Sequence, residues 1–293
     1  MRGRGMANGI GCRWGGCGRV LAWIVFPLCF VFPCRAEASL TLHVNYSGDA
    51  QLETAFQTAA NTWQGLLTGY QDGFIEYRTG GSSATTGQVL SDIYIDAATS
   101  SIDGVGGTLG SAGWNQVARD ASDYWLATDG QMTFDEEDLF SLSGDQLNSL
   151  ILHEMGHVLG LGTLWTQNDL VSGSEFIGVE ATAVWQSEFG QTGTPDIETE
   201  GGAGTAGGHW NENLNGSGLT GITDSLGRDM RDELMTGWLN PNSFLSELTL
   251  ASFRDIGFTT ANATAVPEPG SLVLLSALGI VVGIRRRAVQ RRM

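Results

Sequence analysis

Two histidines four residues apart frame the segment His153-Glu154-Met155-Gly156-His157. On an α-helix that spacing is one turn, so both imidazoles lie on one face and can reach a single metal ion. Glu154, next to the first histidine, can then take a proton from a water on that metal instead of ligating it. This is the HExxH arrangement, two zinc ligands and a general base. A short pattern of three fixed residues also occurs by chance, so the neighbouring residues have to supply the remaining parts of such a site.

A catalytic zinc keeps three protein ligands and one open position. Gly160 stands three residues after His157, where a left-handed residue ends a helix and turns the chain beneath a metal. Three residues further on the chain has Thr163, not a histidine. Only four histidines exist in the chain, which leaves His43 and His209 as candidates. His43 falls on a strand-like segment opposite Leu42 and Val44, the position of an exposed or locally hydrogen-bonded residue. His209 follows the glycine stretch Gly201–Gly208, where backbone can approach a metal closely. Glu212 lies near it and could orient its ring. His153, His157 and His209 are therefore the expected zinc ligands, with Glu154 the catalytic base.

The elements that must hold these residues can be read from periodicity. Thr41–Tyr46 alternates with Leu42, Val44 and Tyr46 on one face, a strand pattern. From Asp49 the period changes, and Leu52, Phe56, Ala59, Trp63 and Leu66 mark an amphipathic helix. Gly73–Thr79, Ser91–Ala97 and Gln131–Phe134 read as further strands. A second helix over Asp145–Leu159 carries the histidine pair, with Ser143 as N-cap and Gln146 completing a capping box. Thr79–Gly87, Gly104–Gly113 and Gly201–Gly208 read as glycine-rich loops without a phosphate-binding pattern. The expected fold is α+β, with a sheet covered on one side.

Composition narrows the function. All 15 basic residues are arginine, which excludes a Walker A lysine, a kinase lysine and a Schiff-base lysine. The net charge of −17 argues against nucleic acid as a partner. At 42% hydrophobic the chain can still bury a core, so it is not a disordered acidic tail. Ten of the arginines sit at the two ends, leaving five arginines and 30 acidic residues between Ser39 and Val266, near −25. The first 38 residues read as a signal peptide, with a basic start, the apolar run Val20–Val31 and Ala36-Glu37-Ala38 before the cut. All four cysteines, Cys12, Cys17, Cys29 and Cys34, fall inside it, so the exported body has no disulfide.

At the other end Val266-Pro267-Glu268-Pro269-Gly270 precedes the apolar run Leu272–Ile284 and then Arg285-Arg286-Arg287. Thirteen residues at ~1.5 Å rise make a short transmembrane segment against a ~30 Å hydrocarbon core. The three parts in order resemble the PEP-CTERM sorting signal. That resemblance implies an exosortase-type partner, transient inner-membrane anchoring and export to the surface of a Gram-negative bacterium. The domain layout is then 1–38 signal peptide, 39–262 body and 263–293 sorting tail.

The body carries a second resemblance. His153-Glu154-Met155-Gly156-His157-Val158-Leu159-Gly160, the distant His209-Trp210, Glu233-Leu234-Met235-Thr236-Gly237 and Leu248–Gly257 together resemble the leishmanolysin-type metzincin peptidases. The resemblance implies a metzincin-like zincin with a twisted mixed sheet, an active-site helix, a second helix, and an irregular C-terminal lobe. It implies His209 as the third zinc ligand and Met235 as a methionine turn forming an apolar floor. The implied activity is that of a zinc endopeptidase, hydrolysing peptide bonds through a metal-bound water with Glu154 as base. Substrate is a protein or peptide paired with a sheet edge, for which Ile102–Leu109 is the candidate. Three departures stand out: no cysteine in the body, no pro-segment cysteine to cap the zinc, and Gly237 where some metzincins have tyrosine. The alternative is an exported non-catalytic binding or matrix protein with a structural zinc site. Ca²⁺ at Asp135-Glu136-Glu137-Asp138 or Asp196–Glu200 lacks EF-hand spacing, and such charge runs read more simply as solvated faces.

Overall fold

The computed structural model describes residues 40–71, 74–77, 84–85, 91–120, 122–212 and 218–261. The expected signal peptide with its cysteines, most of the loop over 79–87, and the tail with the apolar run Leu272–Ile284 lie outside them. Among the described residues no helix is long and apolar enough to cross a membrane.

The N-terminal half runs β1 (Thr41–Ser47), α1 (Glu53–Leu66), β2 (Leu67–Tyr70), β3 (Phe74–Tyr77), β4 (Ala84–Thr85), β5 (Asp92–Ser100), β6 (Gly110–Asp120) and β7 (Trp125–Asp135). One mixed sheet has the order β1-β5-β7-β6-β3-β4, with β1, β5 and β7 parallel and β6 antiparallel to β7. A parallel neighbour needs a crossover, and α1 lies within the connection between β1 and β5. Its buried face, Phe56, Ala59, Ala60, Trp63 and Leu66, is the one the helical spacing marks. Phe56 stacks on Tyr46 at 4.2 Å and meets Phe134 edge-on at 5.3 Å, which fixes the helix against β1 and β7.

After the short α2 (Glu136–Leu139) comes α3 (Gly144–Leu159), packed against α1, β6 and β7. Along β5, Ile93, Ile95 and Ala97 are buried under these helices while Tyr94 and Asp96 point outward. His43 and Asn45 join them on the bare face, so the sheet is covered on one side, as its alternation requires.

The C-terminal half is sparse in regular structure. Its described residues include β8 (Val171–Ser172), β9 (Glu175–Phe176), α4 (Val179–Ser187), a 3-10 turn at Met230–Asp232, α5 (Glu247–Ile256) and β10 (Phe258–Thr260). β10 pairs antiparallel with β2, returning the chain to the end of α1. Phe253 of α5 packs edge-on against Trp63 at 5.1 Å and joins the two halves of the core. Burying rings of this size contributes roughly 1.5–3 kcal/mol each.

Three expectations differ from the structure. Ile102–Leu109 is no strand edge: it forms no strand, and most of its backbone donors are turned to Asp135, Asp138 and Asp103. Asp135 accepts from the N–H groups of Ile102, Asp103 and Gly104 at 2.9–3.1 Å, and Asp138 accepts from Gly106 at 2.8 Å. These donors hold the Asp135 carboxyl down to about 2. The acidic run 135–138 is accordingly no plain solvated face, since Asp135 and Asp138 are buried. The strand begins only at Gly110, inside the stretch whose glycines read as loop.

Candidate metal centre

Helix α3 starts and stops where its sequence says. The Ser143 hydroxyl accepts from the Gln146 N–H at 3.3 Å, and Gln146 Oε1 accepts from the Ser143 N–H at 3.3 Å. At the other end Gly160 is left-handed, with φ of 119°, and the Leu161 N–H reaches back to the Gly156 carbonyl at 3.0 Å. That turn leaves the Leu161 carbonyl to accept from His157 Nδ1 at 2.9 Å. Thr163 supplies no ligand. Its hydroxyl caps the His157 carbonyl at 2.6 Å.

The third histidine arrives from the glycine stretch. A Cβ on Gly162, which has φ of 72°, would collide with the Gly208 carbonyl, so the turn after α3 and the loop before His209 touch backbone to backbone. Behind His209, the Trp210 N–H donates to the Met235 carbonyl at 3.0 Å, and the Trp210 ring lies 4.8 Å from Trp165 and 5.3 Å from Phe176. This buried aromatic anchor stiffens an otherwise glycine-rich approach.

The three rings converge. Nε2 of His153, His157 and His209 stand 3.0, 3.0 and 3.1 Å apart. Each Nδ1 faces a backbone carbonyl: Leu234 at 2.7 Å, Leu161 at 2.9 Å and Thr205 at 2.7 Å. A carbonyl only accepts, so each Nδ1 carries the proton and each Nε2 presents a lone pair. Three lone pairs at that separation repel unless a cation sits among them, and a triangle of this size suits an ion with ~2.0–2.1 Å bonds to nitrogen. The donor set therefore fits zinc. Burial drives the His153 pKa down to about 3, with His209 adding to the effect, and lowers those of His157 and His209 in the same direction.

In the metal-free chain these lowered values couple folding to pH. The histidines stay neutral when folded but take protons near 6.5 when unfolded, so stability is intact above about pH 6.5. As the pH falls towards the folded values, each histidine costs up to about 1.4 kcal/mol per pH unit. Denaturant midpoints of the chelated protein are expected to drop steeply between pH 7 and pH 5. A flat profile would contradict buried neutral histidines.

Glu154 is 5% exposed, and burial pushes its carboxyl up to about 8. The backbone of β6 passes directly over it. A Cβ built on Gly110 would lie within 2.8–3.0 Å of the Glu154 carboxylate, so a larger residue there would push the Glu154 side chain out of its place. Met235 is fully buried, and its thioether lies under Gly156 of α3, between the two helical histidines.

The structure thus brings together His153, His157 and His209, sets Glu154 beside Gly110 and Met235 under Gly156, and keeps His43 away, paired with Asp92 at 2.7 Å on the bare sheet face. Glu212 does not orient His209, because the Thr205 carbonyl does. Glu212 sits instead by the Gly237 N–H at 3.4 Å, its pKa raised to about 7 by burial and by Glu198. Gly110 and the three orienting carbonyls went unseen in the sequence, since a backbone contact leaves no residue type to read.

No curated protein matches the chain. The family model for leishmanolysin matches residues 127–267, from within β7 to past β10. The model of the PEP-CTERM protein-sorting motif matches residues 265–288. Over residues 127–267 the chain is therefore similar to leishmanolysin, a match that supports a peptidase, and it carries a PEP-CTERM sorting motif that implies export.

Proposed function

We propose that the chain is an exported zinc endopeptidase of the metzincin type. The observation that supports it most is the convergence of three Nε2 lone pairs within 3.1 Å, with Glu154 next to them in the chain. When bound there, a zinc ion supplies a Lewis acid and brings water towards a pKa of ~7. Glu154 takes the proton of the attacking water and returns it to the leaving nitrogen. Its burial suits this exchange, because a carboxylate of raised pKa is a stronger base. Met235 serves as the floor of a methionine turn, excluding water beneath the ligands without joining them.

Substrate geometry follows from β6. Among the described residues β3 pairs with β6 only at Arg119 and Asp120, and none pairs with the outer edge from Gly110 to Val117, the edge we assign to an extended peptide. Gly110 sets that peptide next to Glu154. A structural zinc site would need a fourth protein donor, whereas the described residues cluster three. The sorting motif adds an exosortase-type partner and a brief membrane contact through the tail.

The test is a purified chain assayed on an unfolded protein substrate. One zinc per chain, internal cleavage, loss of cleavage on chelation and recovery with zinc are the expected results. A chain that holds one zinc and cleaves nothing across a peptide library would be the binding protein instead.

A further inference from the structure

Glu233 is 1% exposed, lies two residues before Met235, and has no part in the mechanism above. Its carboxylate is surrounded by donors. It accepts from the Met235 N–H at 2.5 Å, the Ser246 N–H at 3.1 Å, and the hydroxyls of Ser246 and Thr249 at 2.7 Å each. Ser246 is the N-cap of α5, so the negative charge also faces the positive end of that helix. An acceptor-only group among four donors is a fully satisfied carboxylate.

Two of these contacts lead to the metal ligands. The peptide between Glu233 and Met235 is that of Leu234, whose carbonyl accepts from His153 Nδ1 at 2.7 Å. Clamping the Met235 N–H fixes the orientation of the Leu234 carbonyl, because both atoms belong to one planar peptide. On the other side, Thr249 Oγ1 donates to Glu233 and accepts from Trp210 Nε1 at 2.9 Å. Trp210 follows His209 directly.

We propose that Glu233 is a positioning residue of the metal centre: its buried carboxylate aims His153 through the Leu234 carbonyl and anchors His209 through Thr249 and Trp210. The proposal rests on the zinc reading above and extends it to a residue that touches neither metal nor substrate. A purely structural Glu233 would only staple α5 to the preceding turn, and its loss would lower stability without altering the ligands.

Metal release separates the two. Glu233→Gln keeps size and shape but offers an NH₂ where Met235 and Ser246 also present N–H groups. Thr249→Val removes the relay at constant volume, and Thr249→Ser restores the hydroxyl. Leu42→Ala, in the core under β1, serves as a destabilised control. Each chain is loaded with zinc, and release to a chelator is followed, with the visible spectrum of the cobalt-loaded form as a second readout. Loss of an orienting partner typically weakens a metal site 10–100-fold. Glu233→Gln and Thr249→Val are expected to release zinc faster by about that factor and to shift the cobalt bands. Thr249→Ser should stay near wild type, and Leu42→Ala should lose melting temperature but not metal. Should Glu233→Gln fail to fold, Thr249→Val carries the same test. Wild-type release rates in both variants, or equally fast release from Leu42→Ala, would overturn the proposal and leave the zinc reading standing. A wild-type chain that takes up neither ion would overturn both.

Discussion

A His209→Ala chain is expected to lose peptidase activity and to bind zinc at least about 10²-fold more weakly than wild type. Four-ligand zinc sites bind with about 10–16 kcal/mol, or roughly 3 kcal/mol per ligand, and each 1.4 kcal/mol is tenfold. The loss should be visible without any substrate. A zinc ion held by the wild-type fold would stabilise it in proportion to the logarithm of its concentration over Kd, so the melting temperature should fall on chelation. In the variant that fall should nearly vanish. The metal-free variant also escapes part of a wild-type penalty, because only two lone pairs, His153 and His157, still face each other at 3.0 Å. His43→Ala is the matched control: its ring pairs with Asp92 on the bare sheet face, and its removal should leave zinc affinity unchanged. Full zinc affinity in His209→Ala, or lost affinity in His43→Ala, would move the third ligand elsewhere.

How far the sequence disclosed this site depended on whether a function resides in a side chain. The convergence of the His153–His157 pair was legible because helix geometry converts a four-residue interval into one face. The ends of α3 were legible too, as Ser143, Gln146 and Gly160 each satisfy terminal backbone groups in a known way. His209 could be chosen over His43 because the alternation around Leu42 and Val44 already turned His43 to the surface. Gly110 was not legible, since a glycine within Gly104–Gly113 looks like any loop glycine. Its role comes from a tertiary approach to Glu154 that no local pattern encodes.

The carboxylates show the same limit from the other side. Asp135, Glu212 and Glu233 look alike in an acidic sequence, yet their surroundings differ. Asp135 collects backbone donors from a distant loop, Glu212 meets another buried glutamate, and Glu233 is enclosed by donors from two segments. Which of these a carboxylate becomes is decided by long-range packing, so the run 135–138 read as solvated when it holds a loop in place. The irregular lobe was foreseeable only in outline. Its order comes from buried rings such as Trp165, Phe176 and Trp210, not from a repeating pattern.

Glu154→Gln is expected to separate catalysis from structure. Proton transfer by a placed base is typically worth ~10²–10⁴ in rate, so kcat should fall by about that factor while one zinc per chain remains. Stability should move the opposite way in the metal-free protein. Folded Glu154 stays protonated up to about pH 8, whereas the unfolded group ionises near 4.5. A raised carboxyl pKa therefore gives stability that is fully present below about pH 4.5 and lost as the pH rises towards 8, at about 1.4 kcal/mol per unit. Glutamine has no proton to lose and lacks this slope. Chelated Glu154→Gln should thus outlast chelated wild type at pH 8, with the advantage shrinking towards pH 5. On the proposed mechanism wild type tolerates that cost because the reaction needs a buried carboxylate next to the metal-binding histidines, a compromise common at catalytic groups. A variant that still cleaves at the wild-type rate would remove Glu154 from the mechanism, and one that loses its zinc would make the glutamate a structural support instead.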